Sequence, residues 1–357
     1  MPSTDKKQNG LQKSLALIFV YTVATGSIFT YVSYWDSVFF SYCGPGTFLA
    51  FALMTLAILP IALVYSEISP LFHTDGGELI YNIVGFNRHV GFLASWLIMA
   101  AWISVPPAVV MAIVTFISRT FGLGLTFGHT MIIGIIILVA VFLMSMQDIQ
   151  FLVKAQAVCL FANITTTLLT GVLLLFSGHW SFANVANLFQ TNLEPSAGIP
   201  GWIIGMALLI TPFFGFETVP QMVEEGDFPT SNTKKAICGS VLTCGTIYVF
   251  FFFCVAGLDS FQTLLSGDAQ NGFMTITAMQ NLLGWKIWPL IYGCVSILMG
   301  MTASILGFWM STARMLYSMG KKNFLPEIFT KVNSHQQPIL PNLFLLGISL
   351  TFILLQN

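Results

Sequence analysis

Residues 211–217 read Thr-Pro-Phe-Phe-Gly-Phe-Glu and stand in the middle of a long apolar run. A helix in hydrocarbon pairs its own backbone groups, whereas proline removes a donor and crowds the preceding turn. Glycine tolerates backbone angles that other residues resist. Pro212 and Gly215 therefore predict a break in the helix, with the ionisable Glu217 beside it. Such a break is tolerated at membrane depth only where it faces protein or a wet cavity.

Composition supplies the membrane. Of 357 residues, 56% are hydrophobic and 8% charged, and the mean hydropathy is +0.83. An aqueous surface cannot be covered from that stock, so the lipid bilayer is the expected surroundings. The few basic residues are scattered, which leaves no case for a nucleic-acid partner. His73, His89, His129, His179 and His335 fall in loops or at span ends, without an HExxH pair or a cysteine partner. The six cysteines lack CxxC spacing and read as free packing thiols, so no metal and no cofactor is expected. Glu217 and the hydroxyls of the 163–167 stretch lie in different spans, and no nucleophile with a nearby base is visible, so the chain is not expected to be an enzyme.

About 20 apolar residues cross a bilayer core. The sequence predicts a polar tail over 1–14 and spans near 15–40, 46–69, 90–118, 129–147, 152–177, 200–223, 236–258, 286–318 and 340–357. The 259–285 stretch reads as an external loop with a short helix near 273–283. Of the 13 lysines and arginines, eleven fall on the side of the amino terminus, and only Arg119 and Lys286 fall opposite. Positive charge gathers on the cytoplasmic side, so the expectation is a multi-pass protein of the inner (cytoplasmic) cell membrane with its amino terminus inside.

A second interruption matches the first. Thr25, Gly26 and Ser27 stand halfway along the first span, five spans before the sixth. Either site alone also reads as a simple packing kink, as Pro106 and Pro107 in the third span do. Transporters built from two inverted five-helix repeats, however, place broken helices at corresponding positions. Half-helix amino termini favour an anion and free carbonyls favour a cation, and a zwitterion satisfies both.

Three longer motifs carry a resemblance. The second span opens on Gly44-Pro45 and closes on Tyr65-Ser66-Glu67, followed by Gly76-Gly77-Glu78; Gly215-Phe216-Glu217 precedes Glu224, Glu225 and Pro229; and Arg314, Tyr317, Leu325 and Pro326 mark the exit of the eighth span. Together they resemble the amino acid–polyamine–organocation permease superfamily. The resemblance implies an all-α polytopic membrane protein, an inverted five-helix repeat with broken helices 1 and 6. It also implies secondary transport of amino acids or amines by alternating access, as symporter or exchanger. By that resemblance Thr25, Gly26 and Ser27 bind the substrate carboxylate and Thr211 to Gly215 offer carbonyls to its amine. Phe213, Phe214 and Phe216 become candidates for an aromatic gate.

The departures from the family pattern carry information too. Ser27 replaces a glycine of the family's first-span motif. Asn163 stands where several proton-coupled members carry a lysine, which favours exchange or a different coupling route. The second repeat is incomplete, since the ninth span meets the end of the sequence, and the expectation is a fragment or a truncated product. The alternative function is a transport-dead membrane protein that senses ligand or scaffolds partners, or a pseudogene product. Glu217 is expected to couple or gate, by titrating or by anchoring the break, and Ser304 with Thr302 marks where sodium would bind. Proton and sodium coupling both stay open. Glu67, Asp75, Glu78, Arg88, His89, Glu224, Glu225, Lys234 and Lys235 read either as an inner gate of ion pairs or as solvated loop charge.

Overall fold

A long apolar run pairs its backbone most completely as a helix, and the chain is helical almost throughout, with only isolated bridges outside the helices among the described residues. The computed structural model describes residues 15–29, 32, 34–72, 75–266 and 272–355. The expected tail over 1–14, with Lys6, Lys7 and Lys13, lies outside the described residues, as does His73.

Among the described residues, seven helical runs are long and apolar enough to cross a membrane: Asp36–Leu71, Arg88–Thr120, Phe127–Ser145, Ile149–Leu175, Gly201–Met222, Thr230–Ala256 and Ile287–Lys321. Leu17–Ile28 and Ile339–Leu355 are shorter apolar helices. The fold is thus that of an all-helical polytopic membrane protein. The apolar segments are numbered here in chain order. Segment one is Leu17–Ile28 with Asp36–Cys43, and segment two is Thr47–Ile68. The bend between them is made at Gly44, whose φ of 54° suits glycine and whose α-carbon faces the backbone of Gln190. Segments three to nine are Arg88–Thr120, Phe127–Ser145, Ile149–Leu175, Gly201–Met222, Thr233–Ala256, Ile287–Lys321 and Ile339–Leu355.

Segment one sits at the centre, packed by segments five, seven and eight and by the second half of six. Segment seven also runs along segment two, and segment eight along segment three. Segments four and nine pack on each other and on three at the periphery. Burial follows this order. From Gly300 to Gly320 nearly every residue of segment eight is buried, whereas segment four buries Gly134, Leu138, Val141 and Ser145 alone, one stripe of its surface.

The break expected at Thr25-Gly26-Ser27 is corrected by the structure. The helix runs unbroken through all three to Ile28, and helical geometry is left at Phe29. The Thr25 hydroxyl donates to Tyr21 O at 2.7 Å and the Ser27 hydroxyl to Val23 O at 2.9 Å, so both are satisfied by their own helix. Gly26 serves packing: a Cβ there would stand 3.1 Å from Gln156 Nε2 and 3.6 Å from Ala303. Pro106 and Pro107 are buried inside the continuous helix of segment three.

Candidate functional site

Segment six breaks within the opening stretch of sequence. It is α-helical over Gly201–Leu208, tightens to a 3-10 turn at Thr211–Phe213 and extends at Phe214 (φ −61°, ψ 131°). It then reverses at Gly215 (φ 137°, ψ −26°) before a second 3-10 stretch, Phe216–Met222. A side chain at Gly215 would be strained by that φ, and its Cβ would lie 2.7 Å from Ser27 Cβ and 2.8 Å from Ile28 N. The glycine therefore lets the sixth segment touch the end of the first half-helix.

Glu217 holds this geometry. Its Oε2 accepts from Gly215 N at 2.8 Å and its Oε1 from Trp102 Nε1 of segment three at 3.0 Å. Gly215 O in turn accepts from Thr218 N at 3.1 Å and Thr218 Oγ1 at 2.6 Å. Hydrogen bonds to a charged group contribute about 1.5–3 kcal/mol each, enough to offset the amide that the break releases from the helix. The arrangement is that of an anchor, with a donor already aimed at each carboxyl oxygen.

The two breaks are joined from segment seven. Tyr248 OH donates to Ile28 O at 2.6 Å and lies 3.3 Å from Pro212 O. From segment five, Asn163 Nδ2 donates to Phe29 O at 3.3 Å, and Thr167 Oγ1 donates back to Asn163 Oδ1 at 3.3 Å. Segment eight passes Asn163 at Gly300, directly after a π-helical turn at Cys294–Met299. The carbonyls freed where the first helix ends are thus received by side chains from two other segments.

Two cavities open on either side of the sixth-segment break. One, of about 330 Å³, lies between Asp36–Cys43, segment three and segment six, and its wall includes Trp35, Phe39, Tyr42, Ser104 and Thr211. The other, of about 370 Å³, lies between segments two, three and six, lined by Tyr65, Trp102, Phe213, Phe214, Phe216 and Glu217 among others. Volumes of this size suit a small molecule. Among the described residues neither wall carries a cationic side chain, and Glu217 is the one acid.

The expected site residues divide accordingly. Thr211 is exposed to the first cavity, with its hydroxyl donating to Leu208 O at 3.1 Å. Phe214 is 43% exposed and faces the second, while Phe213 and Phe216 are buried at its edge. Thr25, Gly26 and Ser27 are buried and line neither cavity. Gly26 packs instead against Gln156 and Ala303, and Ser27 against Gly307. Ser304 is buried with no hydrogen-bond partner for its hydroxyl among the described residues, and Thr302 bonds back to Leu298 O at 2.6 Å. No group of three metal-ligating side chains occurs among the described residues.

Below the cavities, the chain closes on itself where the loop after segment two meets the ends of segments six and eight. Arg314 and Glu225, both buried, pair through two hydrogen bonds, one of them Arg314 Nη2 to Glu225 Oε2 at 3.0 Å. Lys321 Nζ reaches Glu224 Oε1 at 2.8 Å, and Gln221 Nε2 donates to Glu78 Oε2 at 2.5 Å. Gly76 (φ 89°) and Gly77 permit the approach, since a Cβ on Gly76 would stand 2.7 Å from Ser318 Cβ and one on Gly77 would collide with Pro220. The amino-terminal end of segment one joins this face through Leu15 N to Glu225 O at 3.0 Å and Asp227 N to Leu15 O at 2.8 Å. Of the charges expected to be either gate or solvated loop, Asp75, Glu78 and Glu225 are buried here. Glu67 and Lys234 form an exposed pair at 3.0 Å, and Arg88 bonds to the carbonyls of Lys322 and Asn323.

Sequence reasoning missed Tyr248 and Trp102 as partners of the breaks, and Arg314 as the cation that pairs with Glu225. A buried arginine in an apolar helix was a signal in itself, because such a charge needs an acid. The aromatic partners had no comparable sign.

The amino acid permease family matches residues 10–357. The chain is similar to the glutamate/serine transporter AimA of Bacillus subtilis (strain 168), 24% identical over 81% of this chain and 56% of that protein. It is similar also to the branched-chain amino acid permease BcaP of the same bacterium, 23% identical over 84% of this chain and 65% of that one. To the aspartate-proton symporter of that bacterium it is 24% identical over 92% of this chain and 64% of the relative. The chain thus spans between 56% and 65% of the length of these three relatives.

Proposed function

The chain belongs to the amino acid permease family, and on that premise we propose that it moves amino acids or their amines across a cell membrane by alternating access. The substrate sits against the break in segment six, between the two cavities that flank it. The observation that carries this reading is the joining of the two breaks: Tyr248 OH reaches a carbonyl of each, Ile28 O and Pro212 O. Backbone released from helical pairing at membrane depth is expensive unless it is buried in protein or lines a cavity, and here it lies beside cavities large enough for a small zwitterion.

Three finer readings follow. The sixth-segment break, Thr211 to Gly215, supplies carbonyls to the amine, and Phe214 is the mobile aromatic over the site. Because the cavity walls hold no cation among the described residues, the preferred side chain is uncharged, even though AimA and the aspartate-proton symporter carry acidic names. Coupling does not run through position 163, where a neutral amide bonds to Phe29 O. Exchange, or a proton or sodium route elsewhere, drives transport. The lysine and arginine distribution supports nine membrane crossings with the amino terminus cytoplasmic.

The test is reconstitution of the chain into lipid vesicles with a panel of labelled amino acids, with and without pH and sodium gradients. Saturable, competable binding of an uncharged amino acid is the expected result. Saturable binding of none would overturn the reading.

A further inference from the structure

On the face where segment eight ends, the buried charges do not balance. Arg314 is matched by Glu225 and Lys321 by Glu224. A third carboxyl, Asp75, is 2% exposed and, like the buried Glu78 of the helix that follows, has no cation of its own among the described residues. Its Oδ1 accepts from Glu224 N at 3.1 Å, and its own N–H donates to Glu224 Oε2 at 3.3 Å. Its Oδ2 is buried and has no hydrogen-bond partner among the described residues. An unpaired buried carboxylate is costly, whereas a protonated carboxyl is neutral and carries an O–H donor.

We propose that Asp75 is a proton-binding site: a proton held on Oδ2 completes the clamp that Asp75, Glu224, Glu225, Arg314 and Lys321 form between the loop after segment two and the ends of segments six and eight, here closed, and passes to the solution on that face when the clamp opens. The proposal rests on the transport reading only for the motion that opens the clamp. Asp75 lies at the tip of the loop between segment two and the helix Gly77–Gly85, on the same face as Lys321. The proton is therefore taken from and returned to one solution, so it is a regulatory ligand and not cargo.

Charged and titratable groups from two segments face the site. Glu224 and Glu225 come from the end of segment six, and Arg314, Tyr317 and Lys321 from segment eight. Burial first, then the charges of Glu225 and Glu224, push the Asp75 carboxyl well above its ordinary 3.8, against the opposing pull of Arg314 and the Glu224 N–H. The sign follows from linkage: the closed form binds the proton more tightly than a solvated carboxyl does. Closure is thus favoured at low pH and lost as pH rises through the closed-form value.

Hydrogen–deuterium exchange on the purified chain, corrected for intrinsic base catalysis, tests this without any substrate. A chain that proves to transport nothing would leave the result readable. Exchange at 75–85 and 220–228 is read in a Glu78→Gln background, which removes the other buried carboxyl of this face, and is expected there to quicken by up to about tenfold per pH unit, the limit for one proton. In that background Asp75→Asn should stay protected at every pH, and His73→Gln should behave as its parent. A Glu78→Gln parent without pH dependence, a pH dependence surviving when Asp75→Asn is added, or one abolished by adding His73→Gln would each overturn the proposal. Should Asp75→Asn fail to accumulate, the other two proteins still decide.

Discussion

Tyr248 OH donates to the carbonyl of Ile28 at 2.6 Å, with Pro212 O 3.3 Å from the same oxygen. Ile28 is the last helical residue of the first half of segment one, and Pro212 lies within the break of segment six. The phenol is itself held by rings: Phe29 stacks on it at 5.7 Å, Phe51 lies at 4.9 Å and Phe213 meets it edge-on at 5.8 Å between centroids. A side chain packed on three sides has little rotamer freedom left, so it sets the spacing between the two breaks.

Tyr248→Phe keeps the ring and removes the hydroxyl. Leaving the buried Ile28 carbonyl without that donor costs about 1–3 kcal/mol, which for a site built on both breaks corresponds to roughly tenfold or greater weakening of substrate binding. Equilibrium binding of a labelled amino acid, alongside thermal unfolding, measures both. A folded variant with unaltered affinity would detach Tyr248 from the site.

Gly215→Ala should be among the most damaging small substitutions. It forces a Cβ onto a φ of 137° and into contact with Ser27 and Ile28, and backbone strain of this kind costs about 1–3 kcal/mol before the contact is counted. The expected outcome is a lower unfolding temperature with loss of binding. Wild-type thermal stability would mean that segment one yields easily.

Glu217→Gln retains one oxygen where two donors point, Gly215 N–H and Trp102 Nε1–H. One donor must lose its partner, so uptake and stability should fall while the shape of the pH profile stays as in the wild type. Combining the change with Trp102→Phe should cost less than the sum of the two alone, because both act on one bond. A pH profile flattened by Glu217→Gln would give the carboxyl a titrating role instead.

Glu78 supplies a pH dependence of stability. Burial raises its carboxyl from an ordinary 4.5 to about 8, with a smaller push from the Glu217 charge and opposition from hydrogen bonds including that of Gln221. The folded chain therefore holds a proton that the unfolded chain releases. Its stabilising effect is fully present below about 4.5 and is lost as pH rises towards 8, with a limiting slope of about 1.4 kcal/mol per pH unit. Glu78→Gln should flatten the fall in unfolding temperature between those values, and an unchanged slope would count against the assignment.

How far the site was legible depended on the range of the interactions. Pro212 and Gly215 announced the sixth-segment break because proline and glycine act on their own backbone. Thr25, Gly26 and Ser27 have the same composition of a break yet remain helical, since two hydroxyls bond back within the helix and the glycine admits Gln156. The chain leaves the helix beyond them, where Tyr248 and Asn163 receive Ile28 O and Phe29 O. At the closed face the acids were visible, but Glu225 finds its cation 89 residues further along the chain.

The sequence by itself determined that this is a helical membrane protein interrupted near Gly215, because hydropathy and backbone preference are properties of neighbouring residues. Only the tertiary structure decided what Glu217 holds, where segment one ends its helix, and which buried acids are left without a cation. Those outcomes depend on donors and charges brought within about 3 Å by packing, such as Trp102 to Glu217 across 115 positions. Contact of that kind leaves no local trace in the order of residues.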